Sequence, residues 1–291
     1  MHPYHSMKHF FIITNAWKDQ NLYLTKRIIS YIEEKGGTAS YEASTEPGGN
    51  PSVHVHQVPE ETEAVFVIGG DGTLIRAARD LVSLELPLIG INLGHLGYLC
   101  ELEESTVYDA IDELLADRYT IENRMMLTGY MIAKNAQTSR RIALNDIVIH
   151  RTGSLQIVNL NVYVNGEYLC AFQADGIILA TPTGSTGYNM SAGGPIVDPK
   201  AKMLLMTPIN SHTLNSKSIV ISADDEVVIE VGSRRSEKDE QVEVSFDGDN
   251  SMQLEVGDRI VVHRAGAVTK ILKISKISFL EILRKKMQNY T

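Results

Sequence analysis

A short continuous apolar run, Ala64–Ile68, leads straight into Gly69-Gly70-Asp71-Gly72-Thr73, and helical periodicity follows from Thr73 to Val82. An apolar run without polar alternation is the pattern of a strand buried on both faces, and a strand that turns at once into a helix belongs to an open α/β sheet. The glycines let the backbone take positive φ and let its N–H groups approach a phosphate closely, while the helix N-terminus adds favourable partial charge. The loop is therefore built for an anion. Asp71 contradicts that chemistry unless its carboxylate binds a metal, orients a hydroxyl or removes a proton from one. The structural alternative is that Asp71 caps the helix. No Lys follows the glycines, so this is not a Walker loop, and the spacing is not that of the dinucleotide fingerprint G-x-G-x-x-G.

The surroundings agree with an α/β unit. Phe10–Thr14 reads as a first strand, and Leu22, Ile28, Ile29 and Ile32 form the apolar stripe of a helix that Gly36 and Gly37 can end. Glu46–Ser52, with two prolines and two glycines, reads as a loop. A strand at Leu88–Asn92 again ends in glycines, Gly94 and Gly97, so two strands deliver glycine loops at their carboxyl ends, where ligands bind in such sheets. Beyond the helical stretch Ser105–Asp117, period-two alternation dominates. Leu160–Val164 and Glu167–Phe172 flank Asn165-Gly166, a type I′ hairpin signal, and Asp247-Gly248 marks a second turn. Further strands are expected at Ile219–Ile221, Val227–Val231, Val242–Phe246 and Ile260–Arg264. The expectation is an α/β domain over residues 1–118 with a Rossmann-like parallel sheet and a β-rich, sandwich-like domain over 119–275. A helical tail, 276–291, follows, its basic residues solvated beside an apolar face.

Charge narrows the partners. With 27 basic and 36 acidic side chains the chain carries −9, so a general grip on nucleic acid or an anionic membrane would oppose its own field. The two cysteines, Cys100 and Cys170, lie in apolar segments, which argues for a reducing compartment, and a cytoplasmic protein is expected. No stretch approaches 18 uncharged apolar residues, so no membrane partner is expected; Met7-Lys8 offers an alternative start.

A second block, Asp175-Gly176 followed by Thr181-Pro182-Thr183-Gly184-Ser185-Thr186-Gly187-Tyr188-Asn189 and then Ser191, Gly193 and Gly194, is dense in hydroxyls and glycine. It offers neutral donors and acceptors and one aromatic face, which suits a ribose and a base. Asn145-Asp146 adds an amide and a carboxylate ahead of an apolar run, in a context that also fits a plain turn. His54 and His56 alternate on a possible strand, but two ligands without a nearby Cys do not make a metal site, and no protein metal site is expected. His95, flanked by glycines, is a phosphate contact or a positioned structural residue.

Gly69–Thr73, the loop Gly94-His95-Leu96-Gly97-Tyr98, Leu144-Asn145-Asp146, Asp175-Gly176, Thr181–Asn189 and Ser191–Pro195 stand in the order and approximate spacing of the NAD kinases, a family that this chain resembles from about Phe10 to Val262. The Gly-Gly-Asp-Gly element alone is shared with diacylglycerol, sphingosine and phosphofructo-kinases; Thr181–Pro195 is close to a signature. The resemblance implies transfer of phosphoryl from a nucleoside triphosphate such as ATP, with Mg²⁺ or Mn²⁺, to the adenosine ribose 2′-hydroxyl of NAD. It also implies a dimer or tetramer. By the same resemblance Asp71 takes the hydroxyl proton, with Gly72 and Thr73 beside it. Gly69, Gly70, Thr73, Gly94 and His95 face the triphosphate. Asn145 and Asp146 are similar to ligands of the ribose and adenine side. Thr186, Gly187, Tyr188 and Ser191 are similar to the pocket wall, Tyr98 to the aromatic facing adenine, and Asp175 to an acid reaching the nicotinamide end, from a neighbouring subunit in some members. Three positions depart from the pattern: Gln173 replaces Arg or Gly at a position linked to tolerance for NADH, Gly187 replaces Ala, and Lys217 replaces Arg. The competing readings are a lipid or sugar kinase built on the same phosphate loop and a dinucleotide-binding regulator without turnover.

Overall fold

The computed structural model describes residues 7–44, 53–94, 97–133, 136–153, 157–212, 217–233, 242–275 and 277–288. The chain divides into two compact units, residues 1–123 with 268–291, and residues 124–267. The sequence suggests divisions at 118/119 and 275/276. The second of these differs because the strand Arg259–Lys273 runs through residue 267, and its Ile271 pairs with Leu88 of the first unit.

The first unit is a parallel sheet. Its strands β1 (His9–Asn15), β2 (Thr38–Ser44), β3 (Ala64–Gly69) and β4 (Leu88–Asn92) lie in the order β2-β1-β3-β4, and β5 (Leu102–Glu103) adds to β4. Helices α1 (Tyr23–Glu34) and α3 (Val107–Leu115) bury Leu24, Ile28, Ile32, Ile111 and Leu114 with Phe10, Ile12, Phe66, Ile68, Ile89 and Ile91. The alternate residues Phe11, Ile13, Val65 and Val67 are also buried, on the opposite sheet face by the period of two. Helix α2 (Asp71–Asp80) packs on β3 and β4. Strand β2 has no counterpart in the sequence reading because Thr-Ala-Ser-Tyr-Glu-Ala-Ser has no apolar run; it is a half-exposed edge strand.

The second unit is an antiparallel sandwich. One sheet runs β14 (Ile219–Ser222), β13 (Met203–Ile209), β12 (Gly176–Ala180), β9 (Asp146–Arg151), β16 (Val242–Phe246), β17 (Asp249–Leu254). The other pairs β11 (Glu167–Ala174), β10 (Val158–Val164), β15 (Val227–Gly232) and the first residues of β18 (Arg259–Lys273). Strand β6 (Thr120–Ala133) joins it and carries β7 (Ala136–Gln137) and β8 (Arg141–Ala143) at its edge. Ile147, Ile149, Ile177 and Leu179 from one sheet meet Leu160, Val162, Val227, Ile229 and Val262 from the other in one core. Val148, Ile178, Ala180 and Leu205 form a second cluster under Ala192 and Val197, so β9 and β12 are covered on both faces and read as unbroken apolar runs. Asn165 and Gly166 take φ of 51° and 82°, as the hairpin reading requires.

Two local expectations change. His54 and His56 do not alternate on a strand; they stand at the start and in the middle of a 3₁₀ turn, Val55–Gln57, with their rings stacked 5.5 Å apart. Helix α2 begins at Asp71, not Thr73, because Gly70 occupies the N-cap. The tail forms α5 (Phe279–Gln288). His95 and the loop residues 46–52 lie outside the described residues. No helix among the described residues is long and apolar enough to cross a membrane.

Candidate functional site

In the first unit, the ends of β3 and β4 hold the two glycine loops side by side, since Leu93 N–H bonds to the Gly69 carbonyl. A β-carbon on Gly69 would lie 2.3 Å from the buried Thr73 hydroxyl oxygen, so only glycine lets the first turn of α2 fold back onto β3. The Gly70 carbonyl accepts the Thr73 and Leu74 N–H groups. The N–H groups of Gly70, Asp71 and Gly72 have no acceptor among the described residues, and they form the anion-seeking end of α2.

Asp71 does not cap this helix, whose N-cap is Gly70. Its carboxylate instead accepts three backbone N–H groups of the second loop, Tyr98 on Oδ2 at 2.7 Å and Leu99 and Cys100 on Oδ1 at 3.2 and 3.0 Å. Gly97 makes this approach possible, because a β-carbon there would sit 1.9 Å from Asp71 Oδ1. A carboxylate offers about four lone-pair positions. Backbone N–H groups take three of them, two on Oδ1 and one on Oδ2, and the Cys100 thiol also hydrogen-bonds to this carboxylate. The Cys100 thiol beside it is pushed well above its usual pKa, first by burial and then by the Asp71 charge. It is therefore held as a thiol. Tyr98 stands at the rim with the Lys286 ammonium 4.6 Å from its ring centroid. Gly94 is fixed by its N–H bond to Asn92 Oδ1, 3.2 Å.

Two residues of this cluster escape a reading of the sequence alone. Asn92 reads only as the end of a strand, and no sequence feature singles out Lys18. Yet a β-carbon on Gly70 would lie 3.0 Å from Lys18 Nζ and 3.9 Å from Asn92 Oδ1. No linear spacing to the glycine loop could have flagged Lys18, which arrives from the turn after β1.

In the second unit, Asp247 organises the cradle. At φ 53° in its turn, it accepts the N–H groups of Leu144, Asn145 and Asp146. Thr181 ties the other side, its hydroxyl donating to the Leu144 carbonyl at 2.7 Å and its N–H to the Asn145 carbonyl at 2.8 Å. Gly184 presses so closely that a β-carbon would lie 2.1 Å from the Asn145 carbonyl oxygen. Gly187 then opens a space bordered by the Asn145 amide and the Asp146 carboxylate, 3.4 and 3.9 Å from where its β-carbon would be. The Asn145 amide oxygen and the Thr183 hydroxyl are buried without hydrogen-bond partners among the described residues. Asp146 is only 5% exposed, and burial, with the Asp247 charge second, raises its pKa to about 7. Fully buried Asn189 braces the block, donating to the Ser185 and Pro195 carbonyls and accepting from Thr207. Tyr188 (47% exposed) and Ser191 face solvent at the two ends of the short helix α4 (Tyr188–Ser191), and Thr186 is half-buried just before it.

Asp175 is not with them. It precedes Gly176 at the opposite end of β12, whose Ala180 pairs with Asp146, a separation of roughly 16 Å along the strand. There it is bonded to Arg151 Nε at 2.7 Å and Asn210 Nδ2 at 3.0 Å, and Arg151 foremost holds its carboxyl below the usual range. Among the described residues no group of three or more His, Cys, Asp or Glu side chains could hold a metal ion.

The ATP-NAD kinase N-terminal domain matches residues 10–119 and the ATP-NAD kinase C-terminal domain residues 144–274. An NAD kinase of Agathobacter rectalis is 58% identical over 98% of this chain and 100% of that protein, and one of Lachnospira eligens is 41% identical over 97% and 100%. Among solved structures, yeast NADH kinase complexed with NADH superposes with a TM-score of 0.83 at 24% identity, covering 98% of this chain and 88% of that one. An NAD kinase from Archaeoglobus fulgidus in complex with ATP gives 0.75 at 20% identity, covering 96% and 98%. Both likenesses are of fold. With both family domains matched in order, and with relatives of that identity over nearly its whole length, the chain belongs to the NAD kinase family.

Proposed function

We propose that the protein transfers the terminal phosphoryl group of ATP to the 2′-hydroxyl of the adenosine ribose of NAD, giving NADP and ADP. The observation that carries this reading is the cradle at Gly187, where the Asn145 amide nitrogen and the buried Asp146 carboxylate border one small space, and where the oxygen of the same amide is buried without a partner among the described residues. A buried amide and carboxylate call for several polar partners, which a ribose and an exocyclic amine supply together, whereas a diacylglycerol has a single free hydroxyl, the one that would be phosphorylated. Asn145 and Asp146 bind the nucleoside there. Thr186, Gly187 and Ser191 form the wall, and Tyr188 and Tyr98 offer aromatic faces to the bases.

The N–H groups of Gly70 to Gly72, with Gly69, Thr73 and Gly94, take the triphosphate, and His95 joins them by the family resemblance. The ribose hydroxyl donates to Asp71 Oδ2, which accepts one backbone N–H against two on Oδ1. As its oxygen bonds to the γ-phosphorus, the bond from phosphorus to the bridging oxygen of the β-phosphate breaks, ADP leaves with the electron pair, and the proton passes to Asp71. The Asp71 bonds to residues 98–100 fix that carboxylate before substrate arrives, which is the protein's main contribution to a reaction needing position and charge neutralisation.

A divalent ion, Mg²⁺ or Mn²⁺, would be carried in by the triphosphate and would supply charge neutralisation there; hard cations held by phosphates need no cluster of protein ligands. The working protein is a homo-oligomer, a dimer or tetramer, in which Asp175 serves a neighbouring copy. Its distance from Asp146 along β12 supports that role. The setting is cytoplasmic. Purified protein given NAD, ATP and Mg²⁺ tests the reading by forming NADP.

A further inference from the structure

Lys18 is the observation that the proposed activity leaves unused. Its backbone is fixed on both sides. Lys18 N–H and Asp19 N–H both bond to the Asn15 carbonyl at 3.0 Å, and Trp17 N–H bonds to Asn15 Oδ1 at 3.1 Å. Asp19, buried, accepts the Leu24 N–H at 2.9 Å and both the N–H and hydroxyl of Thr25, so it caps α1 and locks the turn. The Lys18 side chain leaves this turn toward the Gly70 backbone. With a β-carbon on Gly70 only 3.0 Å from Nζ, the ammonium lies within about 4.5 Å of the Gly70 α-carbon. No carboxylate lies within ion-pairing distance of it among the described residues, and it is exposed. It stands beside three backbone N–H groups without acceptors at the head of a ten-residue helix.

We infer that Lys18 is a direct ligand of the transferred triphosphate, supplying from the β1–α1 turn the cation that the Gly-Gly-Asp-Gly loop itself lacks. The inference rests on the ATP reading of that loop. An unpaired ammonium a few ångströms from free N–H donors makes a two-sided anion seat, with a point charge on one side and the helix end on the other. It also answers the electrostatic difficulty posed by Asp71. Lys18 adds positive charge where a phosphate must approach a carboxylate, in a protein of net charge −9. Charge-assisted contacts to phosphate are the strong class of hydrogen bond, and loss of one weakens binding by roughly 10–100-fold.

The test compares intact wild-type protein with Lys18→Met, Lys18→Arg and Lys26→Met, the last removing a charge from an exposed position on α1. Binding of inorganic tripolyphosphate with Mg²⁺ is measured by calorimetry, and steady-state constants for ATP and NAD are measured in parallel. Lys18→Met should weaken tripolyphosphate binding and raise KM for ATP by roughly 10–100-fold, with KM for NAD changed by about twofold or less. Lys18→Arg should recover most of the loss, Lys26→Met should match wild type, and melting temperatures should agree within about 2 °C, as for surface substitutions. Unchanged tripolyphosphate binding in Lys18→Met overturns the inference. So does a parallel rise of both KM values, or an equal loss in Lys26→Met. If wild type binds tripolyphosphate through Lys18 but makes no NADP, the inference stands and the proposed activity fails.

Discussion

Replacing Asp71 with Asn separates a proton acceptor from a clamp. An amide presents oxygen on one side only. With that oxygen in the Oδ1 position it keeps the Leu99 and Cys100 bonds and turns an NH₂ toward the Tyr98 N–H, donor against donor at 2.7 Å; flipped, it keeps one bond and loses two. The better choice still forfeits one charge-assisted bond and weakens two more. At the low end for a half-buried site this costs about 2 kcal/mol, or a fall of roughly 4–8 °C in Tm. Loss of the proton acceptor should lower kcat by a further 10²–10⁴-fold or so. Gly97→Ala provides the control, since its β-carbon would fall 1.9 Å from Oδ1 and push the loop away while leaving the carboxylate in place. We expect Gly97→Ala to lose a similar Tm yet keep kcat within roughly tenfold of wild type, with Asp71→Asn at least another tenfold slower. Steady-state kinetics and thermal denaturation of both variants decide it. If Gly97→Ala loses as much kcat as Asp71→Asn, the carboxylate is only a clamp and the catalytic role is wrong.

Tyr188→Ala should remove an exposed aromatic face worth on the order of 1 kcal/mol or more and raise KM for NAD roughly tenfold, with a smaller effect on ATP; equal affinity for NAD would move the base elsewhere. Asp146 titrates near 7 when folded against 3.8 as a free carboxyl, so its protonated form stabilises the fold below about pH 4, and that stability is lost as pH rises to about 7. Asp146→Asn should therefore melt like wild type near pH 4, gain on it as pH rises, and hold a constant lead of a few kcal/mol above about pH 7. A lead independent of pH would remove Asp146 as the titrating group. Turnover should stop on chelation of divalent cations and respond weakly to added monovalent salt, because screening beyond about 8 Å leaves only local charges to guide the phosphates. A large fall in KM with salt would show that the acidic surface repels substrate.

The sequence made legible those features in which one local rule dominates. Ala64–Ile68 with its glycines predicts the β3–α2 loop because burial on both faces leaves no polar residue in the strand. Asn165-Gly166 predicts its hairpin because two positive φ angles suit few other residues. The edge strand β2 was hidden by its polar composition. The reach of Asp71 to residues 98–100, of Asp247 to residues 144–146 and of Lys18 to Gly70 joins segments 27 to 103 residues apart in the first two cases, and side-chain direction in a turn is not written in periodicity. Asp71 illustrates the limit. The oddity of a carboxylate in a phosphate loop was visible, whereas the partners that occupy it belong to tertiary structure.

The most direct measurement is the product formed by the purified wild-type protein from NAD, ATP and Mg²⁺, with the new phosphate located by ³¹P NMR and the product confirmed by an NADP-specific dehydrogenase. The account predicts NADP phosphorylated on the adenosine 2′-oxygen, with one ADP released for each NADP formed. Binding of NAD and ATP by a folded protein with no NADP formed, or phosphate transferred to any other hydroxyl, would contradict it.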